Sequence, residues 1–207
     1  MKKFFLMAVM AVAALTASAQ KGEFHVTPHA TLGYAHMTNA EVTAEIGTVD
    51  LASNIVGGIG ADVEYMLANS FGLSLGLDYN YIQSLKNSIK RNDGELEFYT
   101  TYSYLNIPVL AQVHFGEGWA IKAGFQPMIL LAADLHADGK GSNVVFNKKG
   151  SLKDACESVV FAVPVGLSYT FDSSVTVDLR CNIPVSKIDK GGDNKMIGVT
   201  ATVGYRF

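Results

Sequence analysis

The last eleven residues alternate without interruption. Ile197, Val199, Ala201, Val203, Tyr205 and Phe207 hold one parity; Gly198, Thr200, Thr202, Gly204 and Arg206 hold the other. Successive side chains of a strand point to opposite faces of a sheet, so this is a strand with one apolar and one polar face. A period of 3.6 would mix the two classes on every face. The rule repeats upstream. Phe71, Leu73, Leu75, Leu77, Tyr79 and Tyr81 oppose Gly72, Ser74, Gly76, Asp78 and Asn80, and Val175, Val177, Leu179, Cys181, Ile183 and Val185 oppose Thr176, Asp178, Arg180, Asn182 and Ser186.

Eight such segments are predicted, at 24–36, 54–67, 71–83, 97–115, 119–133, 157–171, 174–186 and 195–207. Tight turns at Ala68-Asn69-Ser70, Gly116-Glu117-Gly118 and Asp172-Ser173-Ser174 alternate with longer connections near 37–53, 84–96, 134–156 and 187–194. Composition decides what the apolar faces require. The chain is 49% hydrophobic and 17% charged, where a soluble domain carries about a quarter charged residues. After residue 20 no apolar run approaches the ~18 residues of a membrane helix. Such a chain buries its apolar faces in a core or turns them to lipid as a closed barrel. The reading is all-β: an eight-stranded antiparallel up-and-down transmembrane β-barrel with short periplasmic turns and longer extracellular loops. Aromatics support the lipid-facing choice. Phe24, Tyr65, Phe71, Phe115, Trp119, Tyr169, Tyr205 and Phe207 fall toward the turn end, and Tyr34, Tyr79, Tyr81 and Tyr99 toward the loop end, as two interfacial girdles require. The competing arrangement, a soluble barrel with its apolar face inside, leaves the polar set in water.

The chain opens on Lys2 and Lys3, an uncharged apolar run from Phe4 to Leu15, and Ala17-Ser18-Ala19. These are the three regions of a secretory signal peptide. The expected domains are therefore a signal peptide at 1–19, cleaved near Ala19, and a barrel at 20–207 in the cell outer membrane. Lys and Arg number 16 against 19 Asp and Glu, and losing Lys2 and Lys3 deepens the acidic excess, which argues against a nucleic-acid partner.

With the polar face inward, Asp62, Glu64, Asp78 and Asp178 would share a narrow lumen with Lys122, Arg180 and Arg206. An eight-stranded lumen is just wide enough for side chains to fill it, and buried charges need partners. The expectation is a lumen charge network, not an open pore. His25, His29 and His114 also face inward near the turn end. They are read first as histidines hydrogen-bonded to Gln112 or nearby acids, and second as a three-imidazole metal site. Ser103, His36 and His136 lie toward the loops, where barrel hydrolases carry their chemistry, but no spacing fixes a nucleophile against a base. No catalytic residue, cofactor or metal is assigned. Cys156 and Cys181 fall too far apart along adjacent strands for a disulfide, so two free thiols are expected. Lys86, Lys90 and Arg91, and Lys148, Lys149 and Lys153, form two basic loop clusters, read as solvated loops before lipopolysaccharide contacts. All five prolines, Pro28, Pro108, Pro127, Pro164 and Pro184, fall inside predicted strands, where a closed barrel predicts bulges or missing ladder bonds.

The run Tyr104-Leu105-Asn106-Ile107-Pro108-Val109-Leu110 resembles a strand of the outer-membrane β-barrel domain family labelled PorT-like. Ile121-Lys122-Ala123-Gly124, Val177-Asp178-Leu179-Arg180 and the ending Gly204-Tyr205-Arg206-Phe207 fit the same pattern. The resemblance implies an eight-stranded outer-membrane barrel. It also implies that Val203, Tyr205 and Phe207 act as the C-terminal signal read by the barrel-assembly machinery. Namesake members take part in exporting proteins across the outer membrane; no catalytic residues come with the family. The expected function is a non-enzymatic membrane scaffold for surface or partner contacts, in contact with outer-membrane lipid and lipopolysaccharide. The alternatives are an accessory component of a secretion complex, a lipid-modifying envelope enzyme and a small-solute channel.

Overall fold

The computed structural model describes residues 22–38, 41–44, 47–91, 94–141 and 145–207. The strands are β1 (Phe24–Met37), β2 (Glu41–Ala44), β3 (Gly47–Asp50), β4 (Ser53–Ala68), β5 (Phe71–Ser84), β6 (Asn87–Arg91), β7 (Gly94–Asn106), β8 (Val109–Phe115), β9 (Trp119–Gly141), β10 (Val145–Ser151), β11 (Val159–Thr170), β12 (Val175–Pro184) and β13 (Met196–Tyr205). One 3-10 turn spans Lys153–Ala155. The expected signal segment, 1–19, lies outside the described residues.

Each of the eight predicted segments is occupied by strand. β7 and β8 together form one stave, broken at Ile107 and Pro108, and the order β1, β4, β5, β7/β8, β9, β11, β12, β13 closes where β13 pairs with β1. Closure has a defined stagger. Phe24, Tyr65, Leu73, Ala111, Ala123, Val165, Cys181 and Val199 pair in turn around the wall, and the circuit returns at Tyr34, ten residues further along β1. That stagger in eight strands tilts the staves by about 40°.

The apolar parity faces out. Leu32, Ile59, Leu75, Leu77 and Leu179 are exposed, while Asp62, Glu64, Asp78, Lys122, Asp178 and Arg180 are buried. The soluble arrangement would reverse both sets. Aromatics cluster on the outer turn-end rim, with Phe24 against Tyr65 at 4.7 Å between ring centroids, and Trp119 against Tyr169 and Tyr205 against Phe207 each at 4.8 Å.

The long connections are richer in structure than expected. Segments read as loops hold the β2–β3 hairpin, β6 and β10, and β9 continues past its predicted end to Gly141. β9 runs for 23 residues, about twice what a tilted strand needs to cross a bilayer core. There it pairs with β7 on one side and β10 on the other, and β6 flanks β7. Backbone groups carried beyond the membrane still require partners, and continuing the sheet supplies them.

The prolines sit at ladder ends and gaps. Pro184 ends β12, and Pro28 lies one residue before the β1–β13 pairing begins. Pro108 occupies the β7–β8 break, opposite which Pro127 accepts a hydrogen bond from the Ile107 N–H at 2.9 Å. The β9–β11 ladder skips Val163 and Pro164. Cys181 pairs with Val165 in the wall, Cys156 bridges to Asp189 at the loop end, and both thiols are free.

Candidate functional site

Inside the wall the lumen divides into two halves of different chemistry. The turn-end half holds the charges. Asp62 and Glu64 come from β4, Asp78 from β5, Lys122 from β9, Asp178 and Arg180 from β12, and Arg206 from just beyond β13. Two inward residues on one strand are two positions apart, so Asp62 and Glu64, like Asp178 and Arg180, reach the same space. Lys122 Nζ lies 2.9 Å from Asp178, Arg180 lies 3.4 Å from Asp178 and 3.9 Å from Asp62, and Arg206 lies 3.0 Å from Glu64. These contacts join Lys122, Asp178, Arg180 and Asp62 in one cluster and Arg206 with Glu64 in a second, while Asp78 pairs with His29. Except for Arg206, none of the seven residues read from the sequence as a lumen set is more than 9% exposed.

Two histidines join them. His114 Nε2 is 2.6 Å from Glu64, and His29 Nε2 is 3.0 Å from Asp78. His25 pairs instead with Glu23 at 3.6 Å. The three imidazoles do not share a site; each is engaged by a different acid, which is the hydrogen-bonded arrangement over the three-histidine one. Small residues make the space. A β-carbon at Gly76 would meet the Asp62 carboxylate and the Pro108 ring, and one at Gly60 would meet Asp78. At the turn end a polar cavity of about 30 Å³ is lined by Glu64, Gln112, His114, Lys122 and Arg206 among others.

The loop-end half is an apolar core. Met37, Val56, Ile82, Tyr102, Tyr104, Met128, Leu130 and Val160 pack together inside the wall, and Cys156 and Ile188 from the loops close over them. This core was not read from the sequence. Its signal was present: Ile82, Met128 and Leu130 fall on the inward parity of β5 and β9, where the outward parity is apolar too.

At the loop rim, Lys86 pairs with Glu97 at 3.1 Å and sits 5.5 Å from the Tyr99 ring centroid; Lys149 pairs with Asp134 at 3.0 Å. Lys153 donates to the Leu131 carbonyl at 3.0 Å, and Lys148 is exposed. The side chains of Lys90 and Arg91 lie outside the described residues. The loop-side candidates for catalysis are dispersed. His36 is exposed on the outer face of β1, His136 stacks on Tyr99 at 4.5 Å and bonds Thr101, and Ser103 accepts from the Tyr79 hydroxyl at 3.2 Å. Val203, Tyr205 and Phe207 are exposed on the outer wall.

A closed antiparallel wall with a lipid-compatible outer face and a charged, filled interior defines an outer-membrane barrel. The chain belongs to the outer membrane protein beta-barrel domain family, whose model matches residues 4–207. No curated protein matches it. Among solved structures, the chain is similar to Neisserial surface protein A (16% identity, 89% of this chain and 97% of that one, TM-score 0.45). It is also similar to Ail, the attachment invasion locus protein of Yersinia pestis (14%, 91% and 100%, TM-score 0.40). A third is the outer membrane protease OmpT of Escherichia coli (10%, 93% and 100%, TM-score 0.43). At these identities and scores the family match alone carries the assignment.

Proposed function

We propose that this chain is a non-enzymatic outer-membrane scaffold whose loop-side sheet contacts surface ligands or partner proteins. What carries the reading is the extension of β6, β7, β9 and β10 beyond the outward apolar belt. A barrel that only anchored itself would need strands of about ten residues, and these continue into a paired sheet on the side where function-bearing loops are displayed. The filled lumen favours a scaffold over a small-solute channel, and the dispersal of His36, His136 and Ser103 favours it over a lipid-modifying enzyme. In this reading a signal peptide is cleaved near Ala19, and the barrel-assembly machinery reads Val203, Tyr205 and Phe207. Lipopolysaccharide contacts the loop-rim lysines, and the short turns face the periplasm.

Membership of a secretion complex, the role attached to the PorT-like label, receives less support. The residues that carry that resemblance do structural work here: Tyr104 is wholly buried in the loop-end core, and Pro108 is buried against Gly76. A motif spent on packing is no guide to a partner.

The test is photo-crosslinking in living cells from the exposed positions 148 and 190, followed by mass spectrometry of the purified tagged barrel. Reproducible adducts with surface proteins or lipopolysaccharide are expected. Altered lipid A in a deletion strain, or discrete conductance in a planar bilayer, would replace the scaffold reading with an enzyme or a channel.

A further inference from the structure

By formal charge the lumen is one cation short. Among the described residues four acids, Asp62, Glu64, Asp78 and Asp178, face three obligate cations. Glu64 is paired with Arg206, Asp178 with Lys122 and Arg180, and Asp62 with Arg180. Asp78 is the exception: its ion-pair partner is His29, 3.0 Å away. Asp78 is 6% exposed, and an uncompensated carboxylate at such a place is costly.

The surroundings of the His29 ring supply the missing charge. Nε2 lies 3.0 Å from Asp78 Oδ1, and Nδ1 lies 3.1 Å from the Thr27 carbonyl oxygen, with Asp62 Oδ2 a further neighbour at 3.8 Å. A carbonyl oxygen accepts, and so does an ionised carboxylate, so beside a charged Asp78 both ring nitrogens donate, and an imidazole with two N–H groups is the imidazolium. With that proton the four acids meet four cations.

We propose that the lumen contains a proton-binding site, with His29 held as an imidazolium between Asp78 and Asp62, and that water reaches it from the turn end only. The polar cavity at the turn end is lined by Thr27 and Asp62, the residues that touch the Nδ1 edge of the ring, and about 30 Å³ holds one or two waters. On the other side Ile82, Tyr104, Met128 and Leu130 fill the lumen with apolar bulk. The charged groups that face the site are Asp62 and Glu64 from β4, Asp78 from β5, Lys122 from β9, Asp178 and Arg180 from β12 and Arg206 beyond β13. A divalent cation is the competing occupant, because ligand atoms of His29, Asp62 and Asp78 lie within 4.8 Å of one another. It would need a ring lone pair, and both nitrogens are already committed to acceptors. The site is independent of whatever the loops contact.

The experiment is nitrogen-15 spectroscopy of histidine-labelled barrel in lipid bilayers at pH 7.5, with the His29 signal assigned by its loss in His29→Gln. An ordinary histidine is only about one-tenth protonated at that pH. Two protonated ring nitrogens are expected for His29, and Asp78→Asn is expected to lower the doubly protonated fraction several-fold. A neutral tautomer in the wild-type barrel, or an unchanged fraction in Asp78→Asn, would overturn the proposal. Equimolar zinc should leave the signal in place; its displacement would assign the site to a metal instead. In vesicles holding barrels of one orientation, a pH step at the turn side should move the signal, and a response to the loop-side step would overturn the sidedness.

Discussion

At the scale of single residues, the lumen ion pairs differ in how much depends on them. Arg180 touches both Asp178 and Asp62 and is 6% exposed. Arg180→Met takes the obligate cation from Asp62 and leaves Asp178 with Lys122 alone, which costs about 3–5 kcal/mol for a buried pair broken on one side. Reversible urea unfolding of the barrel in lipid or detergent measures this. Arg206 lies at the open end of the lumen, where water can replace it, so Arg206→Met should cost clearly less. The cysteines make a second residue-scale case. Burial, and then the nearby Asp189 carboxylate, push the Cys156 thiol above its usual range, which keeps it protonated and slow to react. In the folded barrel at pH 8, Cys156 is expected to resist iodoacetamide. After denaturation without reductant both cysteines should alkylate, and failure of either to do so would point to a bond the structure lacks.

At the scale of elements, the two faces of one wall give opposite results for the same mutation. Gly76 on β5 faces the lumen, where an added methyl meets the Asp62 carboxylate and the Pro108 ring; Gly57 on β4 faces out with nothing within 4 Å. Gly76→Ala is expected to destabilise by about 1–3 kcal/mol through overpacking. Gly57→Ala should fall within about 0.5 kcal/mol of wild type. Paired urea titrations decide it, and equal effects would mean that the strand parity has been misread. The break between β7 and β8 follows the same logic. Pro108 has no N–H to offer the wall, but its ring fills the space above Gly76, so the interruption of hydrogen bonding coincides with close packing.

At the scale of the whole molecule, the barrel is stable as long as its outer face meets hydrocarbon and its inner face stays filled. Leu77 is 55% exposed at mid-strand, beside the charged layer but on the opposite side of the wall. Leu77→Arg should cost about 2–4 kcal/mol in a bilayer, the depth-dependent penalty of a lipid-facing arginine. A soluble barrel would accept the same change at little cost. The loop-end core is the other global element. Tyr104→Ala is expected to cost about 3–5 kcal/mol by opening a cavity, and with Ile82, Met128 and Leu130 still in place it should leave the barrel non-conducting.

Strand number, closure and the choice of outward face were legible in the sequence, because side-chain period two ties parity to face and the C-terminal run shows it without exception. The lumen residues were legible for the same reason: Asp62, Glu64, Asp78, Lys122, Asp178, Arg180 and Arg206 are the charges of the inward parity. Partner choice was not. Whether Asp78 meets Arg180 or His29 depends on the ten-residue stagger, which sets the height at which each strand delivers its side chain, and no single segment encodes that quantity. The loop-end core escaped for a related reason. Met37 and Val56 on β1 and β4 lie far along the chain from Met128 and Val160 on β9 and β11, and only closure of the wall makes them one cluster. Periodicity is local, so one chain displays it; register and stagger are sums over all eight staves, and only the tertiary structure adds them.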